Sequence, residues 1–339
     1  MIEKTFVIAE AGSNHNGKME TARQLVKVAK DSGADAVKFQ SFKADKLFST
    51  KSKKVNGHDV FELFKPLEVS NSWLRQINDF CNEQEIEFMC TPFDEEAVDF
   101  LFDLGVKRIK ISGFESTDLR FINYAASTKL PLIISAGLGC ELKFVDKIIQ
   151  TCYNAGNNNV TILHCNNAYP TPQEEINLET IKTIKNKFNV KVGLSDHTLS
   201  PVTPSLAVMC GASCIEKHFT LSKDMEGPDH SFAVEPNELK QMVDFIRLAE
   251  KSKGIKETFS NSEKKNSMQG RRSIVLKQDV LKGERVTDQN ITTKRPFYDN
   301  NLPASDFFLV ANAGYVFTEN LKKDDFLTNN FIKKGVKVD

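Results

Sequence analysis

Two stretches decide the fold: Gly193-Leu194-Ser195-Asp196-His197-Thr198 and Ile215-Glu216-Lys217-His218-Phe219-Thr220. Each is an apolar run that ends in a polar cluster containing a histidine. Between them, Ser205-Leu206-Ala207-Val208-Met209-Cys210-Gly211 reads as a helix closed by glycine. Strand, helix, strand makes the two strands parallel, so their ends point the same way. His197 and His218 then stand side by side at the carboxyl ends of neighbouring strands. Two imidazoles with carboxylates nearby suit a divalent metal. The plain alternative is two polar residues satisfied at strand ends.

The same rhythm runs upstream. Phe6 to Gly12 reads as a buried strand, followed by a helix with Ala22, Leu25, Val26 and Ala29 at helical spacing. Ala34 to Phe42 is a second strand carrying Lys38 and Gln40, and residues 43–66 form a long polar excursion. Ser70 caps a helix whose apolar face is Trp73, Leu74, Ile77, Phe80 and Cys81. Glu87 to Phe93 is strand three; Asp94 caps the next helix and Gly105 stops it. Arg108–Ser112, Pro131–Gly137 and Val160–Cys165 are strands four to six, and the two opening stretches are seven and eight. Pro236 starts a last helix with Leu239, Met242, Val243 and Ile246 inward. Eight such units in about 250 residues predict an α/β fold, a (β/α)8 TIM barrel with its site at the carboxyl ends of the strands. A doubly wound open sheet is the rival.

A chain of 339 residues suits a large domain plus a small one. Residues 1–254 are assigned to the barrel, and the Lys- and Ser-rich stretch 255–270 to a linker. Residues 271–339 form a small β-rich domain. Within it Leu281-Lys282-Gly283-Glu284-Arg285-Val286 resembles Leu321-Lys322-Lys323-Asp324-Asp325-Phe326, and Asn290 recurs as Asn330. At about 70 residues this module is near the lower limit for standing alone.

The formal net charge is zero, which argues against a nucleic-acid partner or an anionic membrane surface. The seven cysteines are an odd number, and Cys90, Cys165 and Cys214 lie in apolar runs, which suggests a reducing, cytoplasmic setting. No signal peptide is read ahead of Phe6, and no apolar run reaches about 18 residues.

Lys38, Thr91, Lys110, Ser135, Asn167 and Ser195 all fall at strand ends, where they could line a pocket for a small polyanion. Each taken alone could equally be a solvated or paired strand end. Glu10 and Glu115 add carboxylates that could orient hydroxyls, move a proton or balance the lysines. Asp229, in the turn Gly227-Pro228-Asp229-His230, could bind hydroxyls or only hold the turn.

Several motifs occur together and in order: Ala9-Glu10-Ala11-Gly12-Ser13-Asn14-His15-Asn16-Gly17, the Lys38/Gln40 segment, Cys90-Thr91-Pro92-Phe93, His164 to Pro172, Gly193 to Thr198, Glu216 to Thr220, Gly227-Pro228-Asp229 and Lys294-Arg295-Pro296. With them the chain resembles the sialic acid (N-acetylneuraminate) synthase family over essentially its full length. That resemblance implies an enzyme, a transferase that condenses phosphoenolpyruvate with an N-acetylated amino sugar and releases phosphate. It implies a TIM barrel followed by an antifreeze-like (SAF, β-clip) domain, in a domain-swapped homodimer. It assigns Lys38, Thr91, Lys110, Ser135, Asn167 and Ser195 to phosphoenolpyruvate, and His197 and His218 to manganese or magnesium. Gln40, Phe93, Glu115, Tyr169, Asp229 and Arg295 go to the sugar, and Glu10 to acid/base chemistry. N-acetylneuraminate synthase is the first candidate, with N,N'-diacetyllegionaminate or pseudaminic acid synthase next. A carbohydrate-binding protein that kept the pocket, and another phosphoenolpyruvate-using barrel acting on a sugar phosphate, are the other readings. The chain departs from the family at Ser112-Gly113-Phe114-Glu115, where a serine and a glycine are common at 113 and 114, and at Ala136, where threonine is usual. A Phe at 114 resembles the pseudaminic acid branch, so these departures bear on the sugar.

Overall fold

The computed structural model describes residues 4–49, 51, 60–138 and 141–335. Part of the excursion at 43–66 therefore lies outside the described residues. The chain divides into two compact units, Met1–Lys253 and Gly254–Asp339.

In the first unit the strands are β1 (Phe6–Gly12), β2 (Ala36–Ser41), β3 (Glu87–Pro92), β4 (Ile109–Ile111), β5 (Leu132–Ala136), β6 (Val160–Cys165), β7 (Lys191–Asp196) and β8 (Cys214–His218). The helices are α1 (Met19–Asp31), α2 (Ala44–Leu47), α3 (Val60–Phe64), α4 (Asn71–Glu83), α5 (Glu95–Leu104), α6 (Leu119–Ser127), α7 (Leu142–Asn154), α8 (Glu179–Phe188), α9 (Thr203–Met209) and α10 (Pro236–Ser252). Among the described residues the sheet has eight strands in the order β3-β2-β1-β8-β7-β6-β5-β4, and the β1–β2, β1–β8 and β7–β8 pairs are parallel. β3 and β4 are neighbours, which brings the two ends of that order together. This is the barrel read from the sequence, not the open sheet.

Local chemistry explains the elements. Ser70 Oγ accepts from the Trp73 N–H at the start of α4, and Asp94 accepts from the Ala97 N–H at the start of α5. Gly105 ends α5 in the left-handed region, at φ +79°. The helices bury one stripe each, such as Ala22, Leu25, Val26 and Ala29 of α1, against the outer face of the strands.

Strand alternation then builds the site. A plug of Ile8, Ala36, Met89, Ile133, Leu163 and Cys214 fills the barrel interior. Side chains two positions apart share a face. One layer above the plug therefore come Glu10, Lys38, Thr91, Ser135, Cys165 and Glu216, all short of solvent.

In the second unit, β9 (Ser273–Leu276) pairs antiparallel with β10 (Ile291–Lys294), and β11 (Tyr315–Phe317) with β12 (Ile332–Lys334). α11 (Asn261–Gly270) and α12 (Phe307–Asn312) accompany them. Its core includes Ile274, Leu276, Val286, Ile291, Phe317 and Leu327. Two sequence readings change here. The stretch read as a linker is helical from Asn261, because Ser260 and Glu263 form a reciprocal capping box that offsets its lack of an apolar face. The internal repeat is real but aligns one residue further on. Val280 bonds reciprocally with Leu321, the left-handed residues are Gly283 and Asp324, and the Leu281 and Lys322 N–H groups donate to Glu284 and Asp325. Asn290, which accepts from Thr287 N, therefore matches Phe331 rather than Asn330.

Candidate active site

A cavity of about 510 Å³ opens at the carboxyl ends of the strands. Glu10, Lys38, Lys110, Ser135, Ser195, Glu216, His197 and His218 line its depth. Gln40, Phe93, Phe114, Glu115, Tyr169 and Asp229 line its upper wall, with Phe48, Phe64 and Phe232. A smaller cavity of about 320 Å³ at the amino ends of β3 and β4, near Asn82, Glu87 and Lys107, gathers no comparable chemistry.

The floor is a closed charge network. Lys38 Nζ is 2.8 Å from Glu10 Oε2, 3.7 Å from Glu216 Oε2 and 2.6 Å from Thr91 Oγ1. Lys110 Nζ is 3.2 Å from Glu216 Oε1 and donates to the Ile111 carbonyl. Ser195 Oγ donates to Glu216 Oε1 at 3.1 Å, and Gln40 Nε2 donates to Glu10 Oε1 at 2.9 Å. Burial acts against every charge here, but not equally. Burial opposes Glu216 as well, yet Lys110 and Lys38 outweigh it and hold its carboxyl down to about 2. For Glu10, burial wins over Lys38, and Glu216 adds repulsion, so its pKa is raised. Lys38 has burial against it and two carboxylates for it, and stays above the ordinary lysine value.

Asp229 and Glu115 are both raised by burial. Glu115 is bonded by Ser112 Oγ. Asp229 Oδ2 accepts weakly from Ser13 N at 3.4 Å and lies 3.9 Å from His218 Nδ1. β1 makes room for it. The β1–β2 register slips between Glu10 and Gly12, and Gly12 is left-handed at φ +51°. A Cβ there would stand 2.9 Å from Asp229 Oδ2.

The two histidines meet as expected, with ring centroids 5.6 Å apart. His197 Nδ1 bonds the Asn166 carbonyl at 2.7 Å, so that nitrogen carries the hydrogen and Nε2 keeps its lone pair. The buried Nδ1 of His218 has no hydrogen-bond partner. Burial lowers both, His197 to about 3, so both rings are neutral donors. Two neutral imidazoles with free lone pairs fit a divalent ion. Among the described residues no group of three or more His, Cys, Asp or Glu is arranged for a metal.

Thr91 and Asn167 do not line the cavity. Thr91 lies beneath it and accepts from Lys38. Asn167 Oδ1 accepts from the Leu138 N–H, and its Nδ2 donates to the Tyr169 hydroxyl. A Cβ at Gly113 would stand 2.9 Å from the Asn167 amide, so a larger residue there would require that side chain to shift. Arg295 is exposed at the end of β10 in the second unit.

The sequence profile of the NeuB family matches residues 25–258. The chain belongs to the NeuB family. This NeuB-family chain is 42% identical over 304 residues to the N,N'-diacetyllegionaminic acid synthase of Legionella pneumophila, covering 86% of this chain and 85% of that protein. It is 40% identical to the synthase of the same name from Campylobacter jejuni, over 96% of this chain and 99% of that one. The solved N-acetylneuraminic acid (sialic acid) synthetase of Leptospira borgpetersenii superposes with a TM-score of 0.72 at 29% identity, covering 78% of this chain and 90% of that one.

Sequence reasoning gave no role to Glu216, although it lies in a quoted motif. Its signal was parity: it shares a face with His218 and with the plug residue Cys214, whereas Lys217 points to the outer layer and pairs with Asp196 at 2.6 Å. Phe48, Phe64 and Phe232 of the aromatic wall also went unread, because they sit in loops or short helices with no periodicity to mark them.

Proposed function

We propose that this chain condenses phosphoenolpyruvate with an N-acetylated amino sugar, forming a nonulosonic acid and inorganic phosphate. One observation carries the reading: two buried lysines and two buried carboxylates share one floor beneath a pair of neutral histidines. The lysines match the phosphate and carboxylate of phosphoenolpyruvate. A divalent ion held by His197 and His218 would polarise the sugar's aldehyde carbon. The methylene carbon of phosphoenolpyruvate attacks that carbon, forming the new C–C bond. Water adds to the enol carbon, which has become cationic, and the C–O bond to phosphate breaks. Glu10, its pKa raised and Gln40 orienting it, takes the proton that water loses or supplies the one the new alkoxide gains. Lys38 and Lys110 balance the anionic charge throughout.

The acceptor we propose is a 6-deoxy diacetamido sugar, as in N,N'-diacetyllegionaminate synthesis, ahead of N-acetylmannosamine. The upper wall supports it. Phe114 and Tyr169 lie nearly parallel, 13° apart with centroids at 6.3 Å, and Tyr169 meets Phe232 at 5.2 Å. These three rings present apolar faces against which a methyl or an acyl group would pack. Phosphate release should be measured with a panel of N-acyl hexosamines. The diacetamido trideoxy sugars should exceed N-acetylmannosamine by at least about tenfold in kcat/KM, and Phe114→Gly should narrow the gap. A wide preference for N-acetylmannosamine would return the acceptor to that sugar, and no phosphate release with any of them would favour the non-catalytic reading.

Cys81, Cys90, Cys152, Cys210 and Cys214 are free thiols, which supports a reducing, cytoplasmic setting. Among those residues no helix is long and apolar enough to cross a membrane. We also propose the domain-swapped homodimer, with Arg295 completing the partner's sugar pocket. A guanidinium suits that role because it presents several fixed donors to an acyl carbonyl.

A further inference from the structure

His230 follows Asp229 and takes no part in the cavity wall, yet its side chain is fully buried and both ring nitrogens are engaged. Nδ1 is 2.6 Å from Thr220 Oγ1, and Nε2 is 3.2 Å from Asn16 Oδ1. Asn16 Nδ2 already donates to the Glu226 carbonyl at 2.9 Å, so Oδ1 is left to accept. His230 Nε2 therefore carries the hydrogen. Nδ1 accepts from the Thr220 hydroxyl, which it reaches more closely than does the alternative acceptor, the Ser222 carbonyl at 3.0 Å. Burial lowers the imidazole's pKa and so maintains this neutral form. The turn is moulded to the ring: Gly227 has φ +151°, and a Cβ there would stand 2.6 Å from His230 Cδ2.

Thr220 follows β8, whereas Asn16 belongs to the loop after β1. The ring thus ties the two loops whose ends meet at Asp229. Asn14 Nδ2, donating to the Phe219 carbonyl at 2.8 Å, makes a second tie lower down. Asp229 has little of its own to hold it, since the Ser13 N–H is 3.4 Å away and His218 Nδ1 is 3.9 Å. The position of its carboxylate at the mouth is set by the chain on either side. We propose that His230 is a positioning residue, which fixes Asp229 beside His218 by clamping the β8 loop to the β1 loop through Asn16. This rests on the reading of Asp229 as a residue that faces the sugar.

The two ring bonds can be separated by substitution. His230→Gln places an amide where Nε2 was and can keep the Asn16 bond; His230→Asn reaches only as far as Nδ1 and keeps the Thr220 bond. With metal-loaded, full-length protein, His230→Asn should raise the sugar KM about tenfold and leave phosphoenolpyruvate affinity by calorimetry within about twofold. His230→Gln should return the KM to within about threefold of the parent protein. Asn16→Gly, which suits the positive φ of 48° at that site, should match His230→Asn and serves if the latter fails to fold. In an Asp229→Ala background, His230→Asn should change the sugar KM by less than about twofold, since the residue acts through Asp229. An equal effect of His230→Asn with and without Asp229, or an equal loss of phosphoenolpyruvate affinity, would overturn the proposal and leave the ring a packing residue. Unchanged sugar kinetics in Asp229→Ala alone would overturn the assignment of Asp229 beneath it.

Discussion

The Glu10 carboxylate stands 2.8 Å from the Lys38 ammonium in a floor that solvent barely reaches. With Glu216 and Lys110 the floor holds two carboxylates and two ammonium groups, so it offers an incoming anion no net positive charge while all four are ionised. On the proposed assignment phosphoenolpyruvate would compete with Glu10 for Lys38, and its own charge would raise the Glu10 pKa further. Binding should therefore take up a proton. Calorimetry near neutral pH, in buffers of different ionisation enthalpy, should show uptake of up to about one proton, and none in Glu10→Gln. Binding without any uptake in the parent protein would contradict the shared-lysine arrangement.

Glu216 gives the opposite sign. Its folded pKa is depressed to about 2, so its pairing stabilises the fold above the unfolded value of about 4.3. That stability is lost as pH falls from there toward 2. Thermal melts across this window should fall more steeply for the parent than for Glu216→Gln, which starts lower at neutral pH. Parallel curves would mean that the carboxylate is not held down by the lysines.

Lys217 tests the outer layer. Its Nζ bonds Asp196 Oδ2 and the Thr198 carbonyl, and Asp196 in turn accepts from the Thr198 N–H, so the pair braces the turn that carries His197. Lys217→Met leaves Asp196 buried and unpaired and should cost about 3–5 kcal/mol of folding stability by denaturant titration. A loss under about 1 kcal/mol would show that water reaches the pair.

His197→Ala and His218→Ala should each abolish turnover while leaving the thermal midpoint within a few degrees of the parent. A chelator should silence the parent reversibly. Full activity of either variant after exhaustive metal removal would rule out the two-histidine metal site.

Arg295→Ala should raise the sugar KM and leave phosphoenolpyruvate binding nearly unchanged. Mixing it with His197→Ala under subunit exchange should recover activity, because one site of the mixed dimer carries neither lesion. A fully active monomer at assay concentration would refute completion in trans.

Local periodicity made much of this protein legible in its sequence. The strands at Phe6–Gly12 and Val160–Cys165, the caps at Ser70 and Asp94, and the inward stripe of Leu239, Met242, Val243 and Ile246 are set by neighbours a few residues away. Strand parity likewise turns Lys38 toward the cavity floor, because a side chain two positions above the plug residue Ala36 must point inward. The tertiary structure decided everything that depends on closure. That Glu216 lies between Lys38 and Lys110, that Gln40 turns to Glu10, and that Asn167 occupies the space above Gly113 are contacts between strands or loops brought together by the ring, and no spacing along the chain encodes them. The same holds for the aromatic wall and for His230, whose partners come from opposite ends of the unit. The one-residue shift of the second unit's repeat has the same cause: similar residues can be matched in sequence at several offsets, but the reciprocal Val280–Leu321 hydrogen bonds allow one register only.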